Sequence, residues 1–238
     1  MISLMIPAYN EADNLGVLLP KIKDELNALS KPYEIYVLDA SSSADNSKAV
    51  CINHNVSYIR VEDTTYGSAV RKGISIAKYD KLMFMDADCS HDPKYIKELY
   101  AFSMDYDIVI ASRYVHGGDT ENNAILVVMS KLVNLFYKLL FRISAIDVST
   151  SYKMYNAKDV KKLTLTCTHF DIIEEILVKL SVANNNIKIK EIPILFKKRA
   201  YGKSKRKLFV SIVSFFITAL KLLKYKISAK KQNSKGNS

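Results

Sequence analysis

Short apolar runs alternate regularly with segments of helical spacing through residues 1–111, and that alternation restricts the fold more than anything else in the chain. Ile2–Ile6, closed by Pro7, reads as a first buried strand. Glu34–Leu38, Tyr58–Val61, Lys81–Met85 and Asp107–Ala111 read as four more. Between them Leu15–Leu29 and Ala69–Ala77 carry helical spacing, with Gly73 placed for close packing, and Ser41–Ser47 is a polar loop. Strands and helices in alternation predict an α/β fold, a mostly parallel sheet flanked by helices. Open sheets of this kind bind ligands beyond the carboxyl ends of their strands. Pro7, Asp39, Asp86 and Arg113 all lie just past such ends.

The second half has a different texture. Ala124–Ile143 is a long apolar helix with one polar stripe, Lys131, Asn134, Lys138 and Arg142. Ile187–Phe196 returns to strand, and Leu208–Leu223 is a second apolar helix striped by Ser211, Ser214, Thr218 and Lys221. Its charge-free run, Leu208–Leu220, falls short of the roughly 20 residues that cross a bilayer. No membrane-spanning helix is expected. The two helices read either as ordinary core or as interfacial helices lying on a membrane. Charge sharpens this choice. Thirteen of the 35 Lys and Arg residues fall in 197–238, which has no acidic residue, while 1–196 holds 22 basic against all 24 acidic residues. A nearly neutral body with a basic tail suits a polyanionic partner, an anionic lipid surface or a nucleic acid. The expected organisation is a catalytic domain over 1–206, an amphipathic membrane-interface helix over 207–227 and a disordered basic tail over 228–238.

Three scattered cysteines without a CxxC pair argue against a disulfide framework or a structural zinc. The first residues lack a basic segment and a long apolar one, so a cytoplasmic location is expected.

Leu82-Met83-Phe84-Met85-Asp86-Ala87-Asp88 carries the chemistry most directly. Two carboxylates at a strand end, on the ligand-binding edge, are unfavourable without a cation. Their oxygens suit Mg²⁺ or Mn²⁺, ions that usually hold substrate phosphates as well. Arg199-Ala200-Tyr201-Gly202-Lys203-Ser204-Lys205 sets basic residues around a glycine, either a phosphate clamp or a solvated loop. Pro7-Ala8-Tyr9-Asn10-Glu11, taken alone, reads as helix capping. Gly117-Gly118 reads as a mobile loop over the site or a simple turn, and the four histidines as structural or incidental.

In order along the chain, PAYNE, Asp39, DAD with Ser90-His91-Asp92-Pro93, Ala111-Ser112-Arg113-Tyr114 and RAYGKSK resemble the family 2 glycosyltransferases of the GT-A fold. The resemblance runs over about residues 1–225 and is nearest to the dolichyl-phosphate mannosyltransferases and other polyprenyl-phosphate sugar transferases. It implies that Pro7, Tyr9, Glu11, Leu38, Asp39, Asp86, Ala87, Asp88, Arg113, Arg199 and Lys205 bind a nucleotide sugar, GDP- or UDP-linked. It implies a metal on Asp86 and Asp88, catalytic roles for Asp88 and Arg113, and an acceptor phosphate on Lys131, Arg113 and Arg199. Ala40 stands where the family commonly has a second aspartate, and Lys153 where an arginine is frequent.

The implied reaction is an inverting transfer to a polyprenyl phosphate at the cytoplasmic face of a membrane, with room for a membrane-protein partner. A phosphate acceptor is already ionised and needs no base. A sugar hydroxyl acceptor would need one, for which Glu174 or Glu175 is the candidate. Two rivals from other classes are an inactive glycosyltransferase-like partner, suggested by Ala40, and a nucleic-acid binder, suggested by the tail. No nucleic acid is expected, because few aromatics interleave the tail's lysines.

Overall fold

The computed structural model describes residues 1–202 and 208–235, with side chains described for 1–202 and 214–229. Strands β1 (Ile2–Ala8), β2 (Tyr33–Ala40), β3 (Ser57–Val61), β4 (Lys81–Phe84) and β5 (Ile108–Ser112) lie close to where the apolar runs placed them. Helices α1 (Ala12–Ala28), α2 (Ser47–Asn53), α3 (Tyr66–Ile76) and α4 (Ile96–Phe102) connect them, the last preceded by one 3₁₀ turn, Pro93–Tyr95. The remainder is β6 (Asp119–Thr120), α5 (Ala124–Phe141), β7 (Lys153–Asn156), α6 (Ala157–Val160), α7 (Ile172–Ala183), β8 (Ile189–Pro193), β9 (Leu195–Phe196) and α8 (Leu208–Lys235).

Seven strands form one sheet in the order β3-β2-β1-β4-β7-β5-β8. All neighbours are parallel except β7, which runs antiparallel between β4 and β5. Alternate residues of each strand enter opposite cores, as strands buried on both faces must. Leu4, Ile6, Val37, Met83 and Val109 pack with Leu15, Leu19 and Ile22 of α1 and with Ile96 and Leu99 of α4. Met5, Leu38, Leu82, Phe84, Ile108 and Ile110 pack on the other face with α3, α5, α7 and α8. Gly73 earns its place there, since a Cβ would press on Leu38 and Met5.

Several expectations need correction. Strand β1 runs through Pro7, because β4 pairs only with Ile2–Met5 and the missing N–H falls beyond that ladder. Ile187–Phe196 is broken at Ile194, whose N–H bonds the Ser112 carbonyl, and β9 leaves the main sheet to pair with β6. Of the segment 228–238 read as a disordered tail, 228–235 continues α8 on helix-favouring Ala229, Lys230, Lys231 and Gln232, and 236–238 lie outside the described residues. Two members of the polar stripe on α8 face the protein body. Ser214 and Thr218 donate to Asp171, while Phe216, Ile217 and Leu220 are exposed. Finally, α5 has 18 residues and is, by length and composition alone, apolar enough to cross a membrane.

Helix α5 lies along the body. Asn123 caps its start by accepting from the Leu126 N–H at 2.9 Å, and Arg142 ends it in the left-handed region. Lys226 of α8 donates to the Phe141 carbonyl at 3.0 Å, placing a cation on its last turn. Ile125, Val128, Leu132, Leu135 and Leu139 point away from the protein and are more than half exposed. Phe136 meets Phe216 of α8 at 5.5 Å, so the outer faces of the two helices join.

Candidate active site

The chain leaves β1 toward β2 and β3, then returns to β4 on the other side of β1. That reversal opens a crevice beyond the ends of β1 and β4, where ligands bind in open sheets. Glu11 follows β1 there and Asp86 follows β4. Asp86 Oδ1 accepts from Ser151 Oγ at 2.8 Å and from the Tyr66 hydroxyl at 3.4 Å. Tyr66 is held by stacking on Phe170 at 4.2 Å, and the α3 start is seated on the Thr168 carbonyl through Gly67 N–H at 2.8 Å. A Cβ on Gly67 would run into the Cys167 backbone. His91 is buried, stacks on Tyr152 at 4.8 Å, and accepts the Asp86 N–H on Nδ1 at 3.1 Å. Burial pushes its pKa down, so it is a neutral prop for Asp86.

Burial and the neighbouring Asp88 carboxylate push the Asp86 carboxyl above its ordinary range, outweighing His91, Ser151 and Tyr66. Asp88 uses Oδ1 to accept from Ser90 N–H and Oγ, and turns Oδ2 toward Arg199 at 3.3 Å. Two carboxylates in tension, one leaning on an arginine, fit a hard divalent cation. No cluster of three or more His, Cys, Asp or Glu stands ready for a metal among the described residues. The rest of the ion's shell would therefore come from the oxygens of a bound ligand and from water.

Arg199 reaches this crevice on a latched loop. Its Nη1 donates to both Glu11 oxygens at 2.9 and 2.8 Å. Asn14 donates to Glu11 at 2.6 Å and accepts the Tyr201 N–H at 3.0 Å, and the Ala200 N–H bonds the Asp88 carbonyl at 3.1 Å. The capping reading of PAYNE is therefore wrong. Glu11 engages Arg199, and the α1 start is served by Asp45, which accepts the Ala12 N–H at 2.7 Å. Asn10, at φ 52°, ties this turn to Ser43 and Ala44.

Arg113 sits past the end of β5. It makes a two-oxygen pair with Asp147, Nε at 2.8 Å from Oδ2 and Nη2 at 2.7 Å from Oδ1, and Nη2 also donates to Ser149 and Ser130. Asn134 of α5 donates to Asp147 at 3.3 Å. Burial works against the Asp147 charge, yet Arg113 overrides it and holds the carboxyl below its usual range. Tyr114 is flanked by two cations, Arg113 at 4.9 Å and Lys131 at 5.4 Å from its ring centre.

The crevice thus gathers Glu11, Asp86, Asp88 and Arg199, and beside it Arg113 and Lys131. Pro7 lies in the last residues of β1, and Tyr9 just beyond it is 39% exposed. Asp39 is buried at the end of β2 and accepts from the Tyr58 hydroxyl at 2.9 Å. Leu38 and Ala87 were expected to line the donor site, but their side chains are core. Lys205 lies outside the described residues. The base candidates fail on position. Glu175 accepts from the Thr166 and Cys167 N–H groups and from Lys179, and Glu174 is fully buried with Lys153 near it. Gly117-Gly118 is a tight turn, Gly117 at φ 86° and Gly118 N–H on the Val115 carbonyl at 2.8 Å. Tyr66, Asn14 and Ser151 were missed, because nothing in their local sequence marks them as neighbours of Asp86 or Glu11.

The Glycosyl transferase family 2 model matches residues 3–164. Dolichol-phosphate mannosyltransferase of Pyrococcus furiosus is 33% identical over 225 residues, 87% of this chain and 59% of that protein. Polyprenol monophosphomannose synthase of Mycolicibacterium smegmatis is 26% identical, covering 85% of this chain and 79% of that protein. Undecaprenyl-phosphate mannosyltransferase of Micrococcus luteus is 28% identical, covering 84% and 85%. Among solved structures, glucosyl-3-phosphoglycerate synthase of Mycobacterium tuberculosis, in complex with Mn²⁺, UDP and phosphoglyceric acid, superposes with a TM-score of 0.71. That match has 16% identity, covers 94% of this chain and 78% of that one, and supports the GT-A fold. The chain belongs to glycosyl transferase family 2.

Proposed function

We propose that this member of glycosyl transferase family 2 moves a sugar from a GDP- or UDP-linked donor to a polyprenyl phosphate at a membrane surface. The observation that carries the reading is the double face of α5. Ser130 and Asn134 reach inward to the Arg113–Asp147 pair, while Leu132, Leu135 and Leu139 point outward, uncovered. An apolar face beside an arginine suits an acceptor with a greasy tail and an anionic head. The relatives named above support the same acceptor class.

The acceptor phosphate would be held by Arg113 and Lys131. One of its oxygens attacks the anomeric carbon, the bond from that carbon to the diphosphate breaks, and the nucleoside diphosphate leaves, with inversion. The attacking oxygen carries no proton at neutral pH, so no base is needed. Asp86 and Asp88 would hold Mg²⁺ or Mn²⁺, which when bound relieves the charge on the departing diphosphate. Arg199, latched on Glu11 and Asp88, brings a further positive charge to the same crevice.

The test joins binding to turnover. Thermal stabilisation by a panel of nucleoside diphosphates with Mn²⁺ or Mg²⁺ should single out one base and vanish in Asp88→Ala. The matching nucleotide sugar should then label undecaprenyl or dolichyl phosphate in vesicles. Stabilisation without transfer to either lipid would overturn the acceptor, and no response to any diphosphate would overturn the donor.

A further inference from the structure

One segment serves both halves of the crevice. Residues 146–151 lie in the connection between α5 and β7. Within them Asp147 and Ser149 brace Arg113, and Ser151 braces Asp86. Their backbone is suspended from other elements. Glu191 of β8 accepts the N–H groups of Ile146 and Asp147 at 2.6 and 2.9 Å, and Asn134 of α5 accepts that of Ser149 at 3.0 Å. Lys153 donates to the Val148 carbonyl at 2.8 Å and also to the Thr150 carbonyl. Lys153 is fully buried and opens β7 in mid-sheet, in register with Phe84 and Ile110. The mechanism above does not use it.

We propose that Lys153 is a positioning residue, tying the carbonyls of Val148 and Thr150 so that Arg113 and Asp86 are held in one frame. The proposal rests on the reading that these two groups serve acceptor and donor.

An apolar side chain would suit a sheet interior better than an ammonium, which is costly to bury unless paired and hydrogen-bonded. Here two carbonyls accept hydrogen bonds from it. Glu174 of α7, Asp147 of the segment and Glu191 of β8 support its charge, while Arg113 opposes it. Donors to carbonyls two residues apart fix Ser149 between them, the residue whose hydroxyl meets Arg113. The same grip reaches Ser151, one residue past Thr150. Small misplacements of reacting groups cost rate steeply, so a loose segment would be felt at both subsites.

The full chain carrying Lys153→Met, Lys153→Gln or Lys153→Arg would be compared with wild type by hydrogen exchange, by calorimetry of nucleoside diphosphate with Mn²⁺, and by kcat and KM. In Lys153→Met, exchange over 146–152 should quicken while the rest of the sheet stays protected. Its kcat should fall about tenfold or more, with weaker diphosphate–Mn²⁺ binding and a raised KM for lipid phosphate appearing together. Lys153→Arg should restore all of these, and Lys153→Gln, which keeps an N–H donor, should show the same paired losses at smaller size. If Lys153→Met does not fold, Lys153→Gln carries the comparison. Wild-type exchange over 146–152, or loss at one subsite alone, would overturn the proposal. So would exchange rising across the whole sheet and left unrestored by arginine. A wild-type chain that transfers no sugar to lipid phosphate would sink the functional reading, while the exchange pattern would still decide the role of Lys153.

Discussion

Among the described residues, Arg113 and Asp147 form the most deeply buried ion pair near the crevice, the arginine 9% exposed and the aspartate not at all. Removing one partner of such a pair strands a charge. Asp147→Ala should cost about 3–5 kcal/mol in urea denaturation at neutral pH. The pH dependence has a definite sign. A carboxyl held below its unfolded pKa contributes stability that is complete above about pH 4 and is lost as pH falls through the lowered folded value. The wild-type urea midpoint should therefore drop on acidification below about pH 4, and that of Asp147→Asn should drop less over the same interval. At this scale the sequence was partly legible. Asp86 and Asp88 announce themselves as a pair at a strand end. Asp147 lies 34 positions along the chain from Arg113, and Ser151 lies 65 from Asp86, separations that no local pattern encodes.

Among the elements, strands with apolar runs were readable and those without were not. Lys153–Asn156 has no alternation or run to mark it, because its first residue is a buried lysine serving carbonyls. Helix α7 was missed for a related reason. Every residue from Ile172 to Leu180 is buried, charged ones included, so no polar face reveals its period. Glu174 and Glu175 looked like spare acids because their helix was invisible. Helix α5 was legible as a helix, and its outward face yields a prediction. Leu132→Glu with Leu139→Glu touches only exposed positions, 62% and 68% open, so folding should be unchanged within about 0.5 kcal/mol by thermal melting. Binding to anionic vesicles should weaken sharply, and transfer to long-chain lipid phosphate with it. Transfer to a short, water-soluble prenyl phosphate should be spared. Equal loss on both acceptors would place the effect inside the crevice and remove α5 from the membrane.

For the whole molecule, the parallel order of β1 to β4 followed from the alternation of elements, and the crevice followed from where that order reverses. The antiparallel β7 was not foreseen, and it has a consequence for how the chain comes into being. During vectorial synthesis β4 emerges about seventy residues before the strand that will cover its free side, and β5 cannot join the sheet directly because β7 must lie between them. The nascent chain therefore carries an open, apolar edge, Leu82-Met83-Phe84, through the synthesis of β5, β6 and all of α5. Chains halted at residue 145 should associate through that edge, visible as light scattering and as binding to a chaperone. Chains extended past 156 should lose the part of this tendency that the β4 edge carries. The strand that ends the wait begins with Lys153, so the residue that steadies the finished crevice also marks the moment at which the sheet can close.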